Sequence, residues 1–132
     1  LCGGKRPSGF NKGYFYEPTV FDNVKDDFKI MIEEPFGPLT PLLTFKKFDE
    51  VIEKANNQVA GLAAYVCTGS IELANKTSEA LETGMVAVNT PFISNAETPF
   101  GGIKQSGYGR EGGSLGIKDY LNIKYTHLGL SG

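Results

Sequence analysis

Leu62-Ala63-Ala64-Tyr65-Val66-Cys67 is a continuous apolar run with no polar alternation, the pattern of a strand covered on both faces. Helical signals flank it on either side. Upstream, the strand-like run Leu39 to Phe45, apolar at Leu42-Leu43-Thr44-Phe45, gives way to Asp49, a good N-cap, and then to Val51, Ile52, Ala55 and Val59 at helical spacing. Downstream, Ser70 is placed to cap a helix whose face is Ile71, Ala74, Ser78 and Leu81, with Gly84 positioned as its left-handed terminator. Met85-Val86-Ala87-Val88 closes the series as a third strand. Strand, helix, strand, helix, strand at this spacing predicts an α/β fold, a parallel three-layer αβα sheet fragment with a βαβαβ core and right-handed crossovers. Ligands of open parallel sheets gather beyond the carboxyl ends of the strands. Asn89-Thr90-Pro91-Phe92-Ile93-Ser94-Asn95 follows such an end directly.

Further out, residues 1–13 carry four glycines and a proline among basic side chains, which is loop composition. Tyr14-Phe15-Tyr16 and Thr19-Val20-Phe21 read as short edge strands broken by Glu17-Pro18. Residues 26–32 have room for a turn or two of helix before prolines stop it. Past Asn95, glycine and proline dominate through Gly113, and Leu115-Gly116-Ile117-Lys118-Asp119-Tyr120 predicts a short helix. Residues 121–128 alternate, with Leu121, Ile123 and Tyr125 on one side and Asn122, Lys124 and Thr126 on the other. That is a late strand with a half-apolar face, and it needs a partner.

The 132 residues fit one domain, and 40% hydrophobic with 21% charged side chains is ordinary globular usage. Thirteen basic against fifteen acidic side chains leave a formal net charge of -2 without any run of five like charges. The expectation is no nucleic-acid partner and no membrane partner. No apolar stretch approaches the roughly 18 residues of a membrane span, and no basic and apolar leader is recognisable, which predicts a cytoplasmic protein. Cys2 and Cys67 are too few for a disulfide framework and too far apart for a zinc knuckle, so both are expected reduced. His127 has no cluster of ligating residues around it, and no metal is expected. Asn75-Lys76-Thr77 matches a glycosylation sequon inside a helical pattern, where chance explains it.

Glu33-Glu34-Pro35-Phe36-Gly37-Pro38 concentrates two carboxylates, a ring and a proline-fenced glycine in a segment that cannot be regular structure. The residues alone leave two readings: a proline turn with Phe36 plugging the core, or a stiff loop presenting its side chains for function. Gly107-Tyr108-Gly109-Arg110-Glu111-Gly112 matches the dinucleotide fingerprint by letter. No hydrophobic strand precedes it, so the Rossmann reading is set aside.

Taken together, Glu33-Glu34-Pro35-Phe36-Gly37-Pro38 and Pro99-Phe100-Gly101-Gly102-Ile103-Lys104-Gln105-Ser106-Gly107 resemble the paired signatures of the NAD(P)-dependent aldehyde dehydrogenase superfamily. The likeness runs from Gly13-Tyr14-Phe15-Tyr16-Glu17-Pro18-Thr19-Val20 to Lys124-Tyr125. It implies that Glu34 takes the hydroxyls of the nicotinamide ribose and that Phe36 packs beside the nicotinamide of NAD or NADP. A carboxylate accepts from two vicinal hydroxyls, and an aromatic face holds a flat ring. Glu33 is then solvated or structurally paired. Phe100 resembles the aromatic wall beside the aldehyde, although a plain core phenylalanine fits the residues equally well. Phe92, Ile93 and Ser94 resemble the loop that sets substrate size and polarity. Ser94 followed by Asn95, and the tail from Gly109 to Tyr125, resemble the succinate-semialdehyde dehydrogenase branch, where this serine helps hold the distal carboxylate.

The resemblance further implies that residues 1–119 are the C-terminal part of a catalytic domain and residues 120–132 an oligomerisation strand and tail, in a homodimer or homotetramer. It places the cysteine nucleophile, the general base and the oxyanion-hole asparagine before residue 1, so no catalytic residue is expected in this chain and the chain alone is expected to be inactive. The opening Leu1 in a glycine-rich loop agrees with a piece of something longer. Neither cysteine replaces the nucleophile: Cys67 ends a run expected to be buried, where a thiolate is disfavoured, and Cys2 lies in a glycine loop without a nearby base. Asn122 stands where many relatives carry a glutamate that pairs with the arginine matching Arg110, which leaves open how Arg110 is held. The alternative from another class is a stand-alone assembly or interaction module with a vestigial pocket.

Overall fold

The computed structural model describes residues 2–130 and 132. Along the chain come β1 (Thr19–Phe21), α1 (Lys29–Ile32), β2 (Leu39–Pro41), α2 (Phe48–Asn56), β3 (Ala60–Gly61), β4 (Ala63–Val66), α3 (Ile71–Ala80), β5 (Met85–Val88), β6 (Ile103–Lys104) and α4 (Gly113–Gly116), which runs on as a 3-10 turn Ile117–Tyr120. The chain divides into two compact units, Leu1–Val51 and Ile52–Gly132, with the boundary inside α2.

In the first unit β1 and β2 are parallel, Thr19 opposite Leu39 and Phe21 opposite Pro41. The strand therefore takes the start of the strand-like run 39–45, at 39–41, and not its more apolar part at 42–45. Pro41 is tolerated because alternate residues of a strand donate to the same side, and Leu42 N–H supplies the bond to the Phe21 carbonyl at 2.9 Å. Thr19 is a buried polar residue, 3% exposed. Its hydroxyl donates to the Glu17 carbonyl at 2.7 Å and accepts the Gly4 N–H at 2.8 Å, so burial leaves it satisfied. Tyr14-Phe15-Tyr16 forms no strand; Phe15 instead packs on Phe10, with ring centroids 4.6 Å apart. Only Lys29–Ile32 of the expected helical stretch is helical.

Within α2, Asp49 falls in the first turn and is not the cap. The Glu50 carboxylate accepts the Lys46 N–H at 3.0 Å, and both acidic groups favour the positive helix end.

The second unit is built on β4, α3 and β5. The two strands are parallel, with Ala63 opposite Met85 and Val66 opposite Val88, and α3 is their connection. Ser70 caps α3 as its position predicts, its hydroxyl accepting the Leu73 N–H at 3.2 Å. The C-terminal end is closed differently from expectation. α3 stops at Ala80, and the orphan Ala80 carbonyl accepts from the Asn56 amide at 2.8 Å, whose oxygen takes the Glu82 N–H at 2.8 Å. Lys104 joins this knot, donating to the Asn56 carbonyl at 2.7 Å and pairing with Glu82 at 2.6 Å. Gly84 has no left-handed φ. Its lack of a side chain serves close packing: a Cβ there would collide with the Gly101 carbonyl.

β3 pairs antiparallel with β6, Ala60 opposite Lys104 and Gly61 opposite Ile103, and the Ser106 hydroxyl accepts the Gly61 N–H at 2.9 Å. The hydrophobic residues buried among those described are Ala74, Met85 and Ala87. The run at 62–67 is thus not covered on both faces: Leu62 is 41% and Tyr65 58% exposed, and Cys67 is exposed as well. Apolar composition predicts that a strand wants cover, and α3 with β5 supplies only part of it. Residues 121–130 lie in no helix or strand, and Ile123, Tyr125 and Leu128 are exposed. The strand expected there is not formed within the single chain: among the described residues no strand or bridge pairs with it. No helix among the described residues is long and apolar enough to cross a membrane.

Candidate functional site

Two groups of residues emerge from the two units. In the first, the chain leaves α1 and passes through residues 33–38. Lys29 pairs with Glu33 at 3.4 Å as an exposed i,i+4 contact, which is worth little energy but accounts for Glu33 structurally. Prolines 35 and 38 remove donors, and the N–H groups between and after them turn back on the nearest carbonyls: Gly37 to Pro35 at 3.0 Å and Leu39 to Gly37 at 2.8 Å. This stiff segment leaves Glu34 exposed and Phe36 96% exposed. Phe36 is therefore no core plug of the chain. A ring left in water costs free energy, and this loop presents it two residues from an exposed carboxylate, a hydrogen-bond acceptor.

In the second unit, a cleft of about 370 Å³ is lined by the run 84–88, containing β5, and by Thr90, Phe92, Ile93, Asn95, Thr98 and Pro99. Its position follows from topology, since the chain turns over the carboxyl end of β5. Asn89 makes that turn. It adopts a left-handed φ of 56°, and its side-chain amide accepts from Thr68 N–H at 2.9 Å and donates to Thr68 carbonyl at 2.8 Å. Its own N–H reaches the Val66 carbonyl at 2.8 Å, extending the parallel ladder by one step. Sequence reading passes over this role; the available signal is that asparagine tolerates the left-handed region.

Of the residues singled out for substrate, Phe92 lines the cleft and is 85% exposed. Ser94 is exposed and lies outside the lining, one residue beyond Ile93. Phe100, also outside the lining, is half-buried, and its backbone exchanges two hydrogen bonds with Glu111, both 2.7 Å. Thr98 and Pro99, which sequence reading did not assign to the substrate, do line the cleft. The glycine fingerprint at 107–112 lies in turns, with left-handed φ at Gly107, Gly109 and Gly112, and does not join a hydrophobic strand to a helix. Among the described residues no group of three or more His, Cys, Asp or Glu is placed to hold a metal ion.

Known proteins share this arrangement of elements and sequence. The chain is 50% identical over 129 residues to the 3-sulfolactaldehyde dehydrogenase of Pseudomonas putida, covering 98% of the chain and 26% of that protein. It is 48% identical over 130 residues to the NADP(+) succinate-semialdehyde dehydrogenase GabD of Escherichia coli K12, covering 98% and 27%. The NAD+ complex of an aldehyde dehydrogenase from Bacillus cereus superposes with a TM-score of 0.88 at 46% identity, over 93% of this chain and 25% of that one. The chain thus spans about a quarter of the length of the relatives it matches. Residues 1–126, nearly the whole of it, match the aldehyde dehydrogenase family, and the chain belongs to that family.

Proposed function

We propose that this chain is the C-terminal part of the catalytic domain of an NAD(P)-dependent aldehyde dehydrogenase, with residues 120–132 as its oligomerisation strand and tail. The proposed substrate is succinate semialdehyde, oxidised to the carboxylic acid. The observation that carries the reading is the loop at 33–38, which holds the Phe36 ring 96% exposed beside the exposed carboxylate of Glu34. These two groups suit a nicotinamide riboside: Glu34 accepts from the ribose hydroxyls and Phe36 offers a face to the ring. When bound, the nicotinamide supplies a hydride acceptor. Glu34 and Phe36 orient it, and the cleft residues Phe92 and Ile93, with Ser94 and Phe100, shape the space for the aldehyde. The proposed nucleophile, a cysteine that carries the acyl group as a thioester, lies outside residues 1–132, and Cys2 and Cys67 take no part. The proposed setting is a cytoplasmic homodimer or homotetramer without nucleic-acid or membrane partners.

Glu34→Gln in the full-length enzyme tests the cofactor assignment. A charge-assisted contact is worth roughly 1.5–3 kcal/mol, and this one acts on orientation. Hydride transfer should fall about tenfold or more while the dissociation constant of the nicotinamide cofactor changes by less than that. Single-turnover kinetics with direct titration of the cofactor separates the two, and an unchanged transfer rate assigns Glu34 a structural role.

Ser94→Ala tests the substrate. The exposed hydroxyl follows Ile93 of the cleft lining, and its loss should raise KM for succinate semialdehyde on the order of tenfold, with little change for an uncharged aldehyde of similar length. Equal effects on both would show that the serine packs the loop and does not read a carboxylate.

A further inference from the structure

We infer that Arg110, aligned by Asp119, is a positioning residue for the wall formed by residues 96–102, and through that wall a determinant of aldehyde affinity; the second half of this statement rests on the function proposed above. Arg110 is half-buried, and its Nη1 donates to two carbonyls, Gly102 at 2.8 Å and Gly109 at 2.6 Å. Its backbone N–H donates to the Asp119 carboxylate at 2.8 Å. Asn122 is therefore not needed to explain how this arginine is held.

The residues after Arg110 continue along the same wall. Glu111 exchanges two 2.7 Å hydrogen bonds with Phe100, and Gly113 N–H reaches the Ala96 carbonyl at 3.0 Å. Residues 110, 111 and 113 thus meet 102, 100 and 96 in reverse order, as an antiparallel template. The backbones approach so closely that side chains are excluded. A Cβ on Gly112 would lie 2.8 Å from the Thr98 oxygen, and one on Gly101 2.7 Å from the Gly109 oxygen. Thr98 and Pro99, inside the templated stretch, line the cleft.

An arginine suits this position because the two N–H groups of one planar guanidinium nitrogen, Nη1, reach both carbonyls from a rigid group, and the full charge strengthens each bond. A lysine offers a point charge on a flexible stem. Asp119, in the turn that follows α4, fixes the backbone from which the fork projects.

The test uses the full-length holoenzyme with Arg110→Ala, Arg110→Lys and Phe100→Ala, read by amide hydrogen exchange, steady-state kinetics and cofactor titration. Arg110→Ala should speed exchange at the Phe100 and Glu111 amides at least tenfold while the Leu73 amide of α3 keeps its rate. KM for the aldehyde should rise about tenfold, with kcat within threefold and the cofactor dissociation constant within twofold. Arg110→Lys should fall between wild type and Arg110→Ala in both exchange and KM, which also covers the case in which the alanine variant does not fold. Unchanged exchange at Phe100 and Glu111, or equal acceleration there and at Leu73, would overturn the positioning role. If Arg110→Ala speeds local exchange but Phe100→Ala leaves KM unchanged, the positioning of the wall stands and the substrate role given to Phe100 falls.

Discussion

Gly84→Ala is expected to destabilise the protein by about 3 kcal/mol, the upper part of the usual range for forcing atoms into a packed site. A Cβ at this position would collide with the Gly101 carbonyl and lie 2.7 Å from the Gly102 Cα. Every neighbour in the way is backbone, so no side-chain rotation relieves the clash. The strand that starts at Met85 is tied to the same place, since Gly84 N–H donates to the Gly61 carbonyl at 3.0 Å and Met85 N–H to the Leu62 carbonyl at 3.1 Å. Relief must come from moving residues 101–102, which follow Phe100 and carry the carbonyl held by Arg110. Urea unfolding of the variant beside Gly69→Ala measures the effect. Gly69 has an ordinary φ and open space around the added carbon, so its substitution should be neutral or stabilising by a few tenths of a kcal/mol through the unfolded chain. Equal stability of the two variants would show that residues 101–102 yield freely.

Removing residues 121–132 from the full-length protein is expected to abolish or halve its oligomeric mass before it costs the local fold. Leu121, Ile123 and Tyr125 alternate with polar residues, and in the single chain all three are exposed, Ile123 fully at 101%. None of them is part of the buried set of Ala74, Met85 and Ala87, so their loss removes little from that core. An extended segment with unpaired N–H and C=O groups and apolar side chains is a ready template for another chain. Sedimentation decides the matter, with α3 and β5 followed by amide exchange in the same sample. An unchanged oligomer size would place assembly elsewhere on the protein.

The sequence by itself determined the elements whose signals are local. Ser70 and the spacing of Ile71 and Ala74 located α3, and the apolar run after Gly84 located β5, because caps and hydrophobic periods act within a few residues. Phe92 was placed beyond the end of β5 by order along the chain alone, and the motifs around Phe36 and Phe100 carried the family. Tertiary structure decided what depends on distant partners. β2 fell at 39–41 because β1 sets the register there, not because 39–41 is more apolar than 42–45. Gly84 carries the signature of a helix terminator, yet what requires glycine is the backbone of residues 101–102 pressed against it. For Arg110 the sequence left open how it is held, and for Asp119 it offered only a place in a short helix; their approach to Gly102 and to each other gives both a task. A strand at 121–128 has the right alternation, but a strand exists only where another backbone meets its ladder of hydrogen bonds, and among the described residues of this single chain no strand does so.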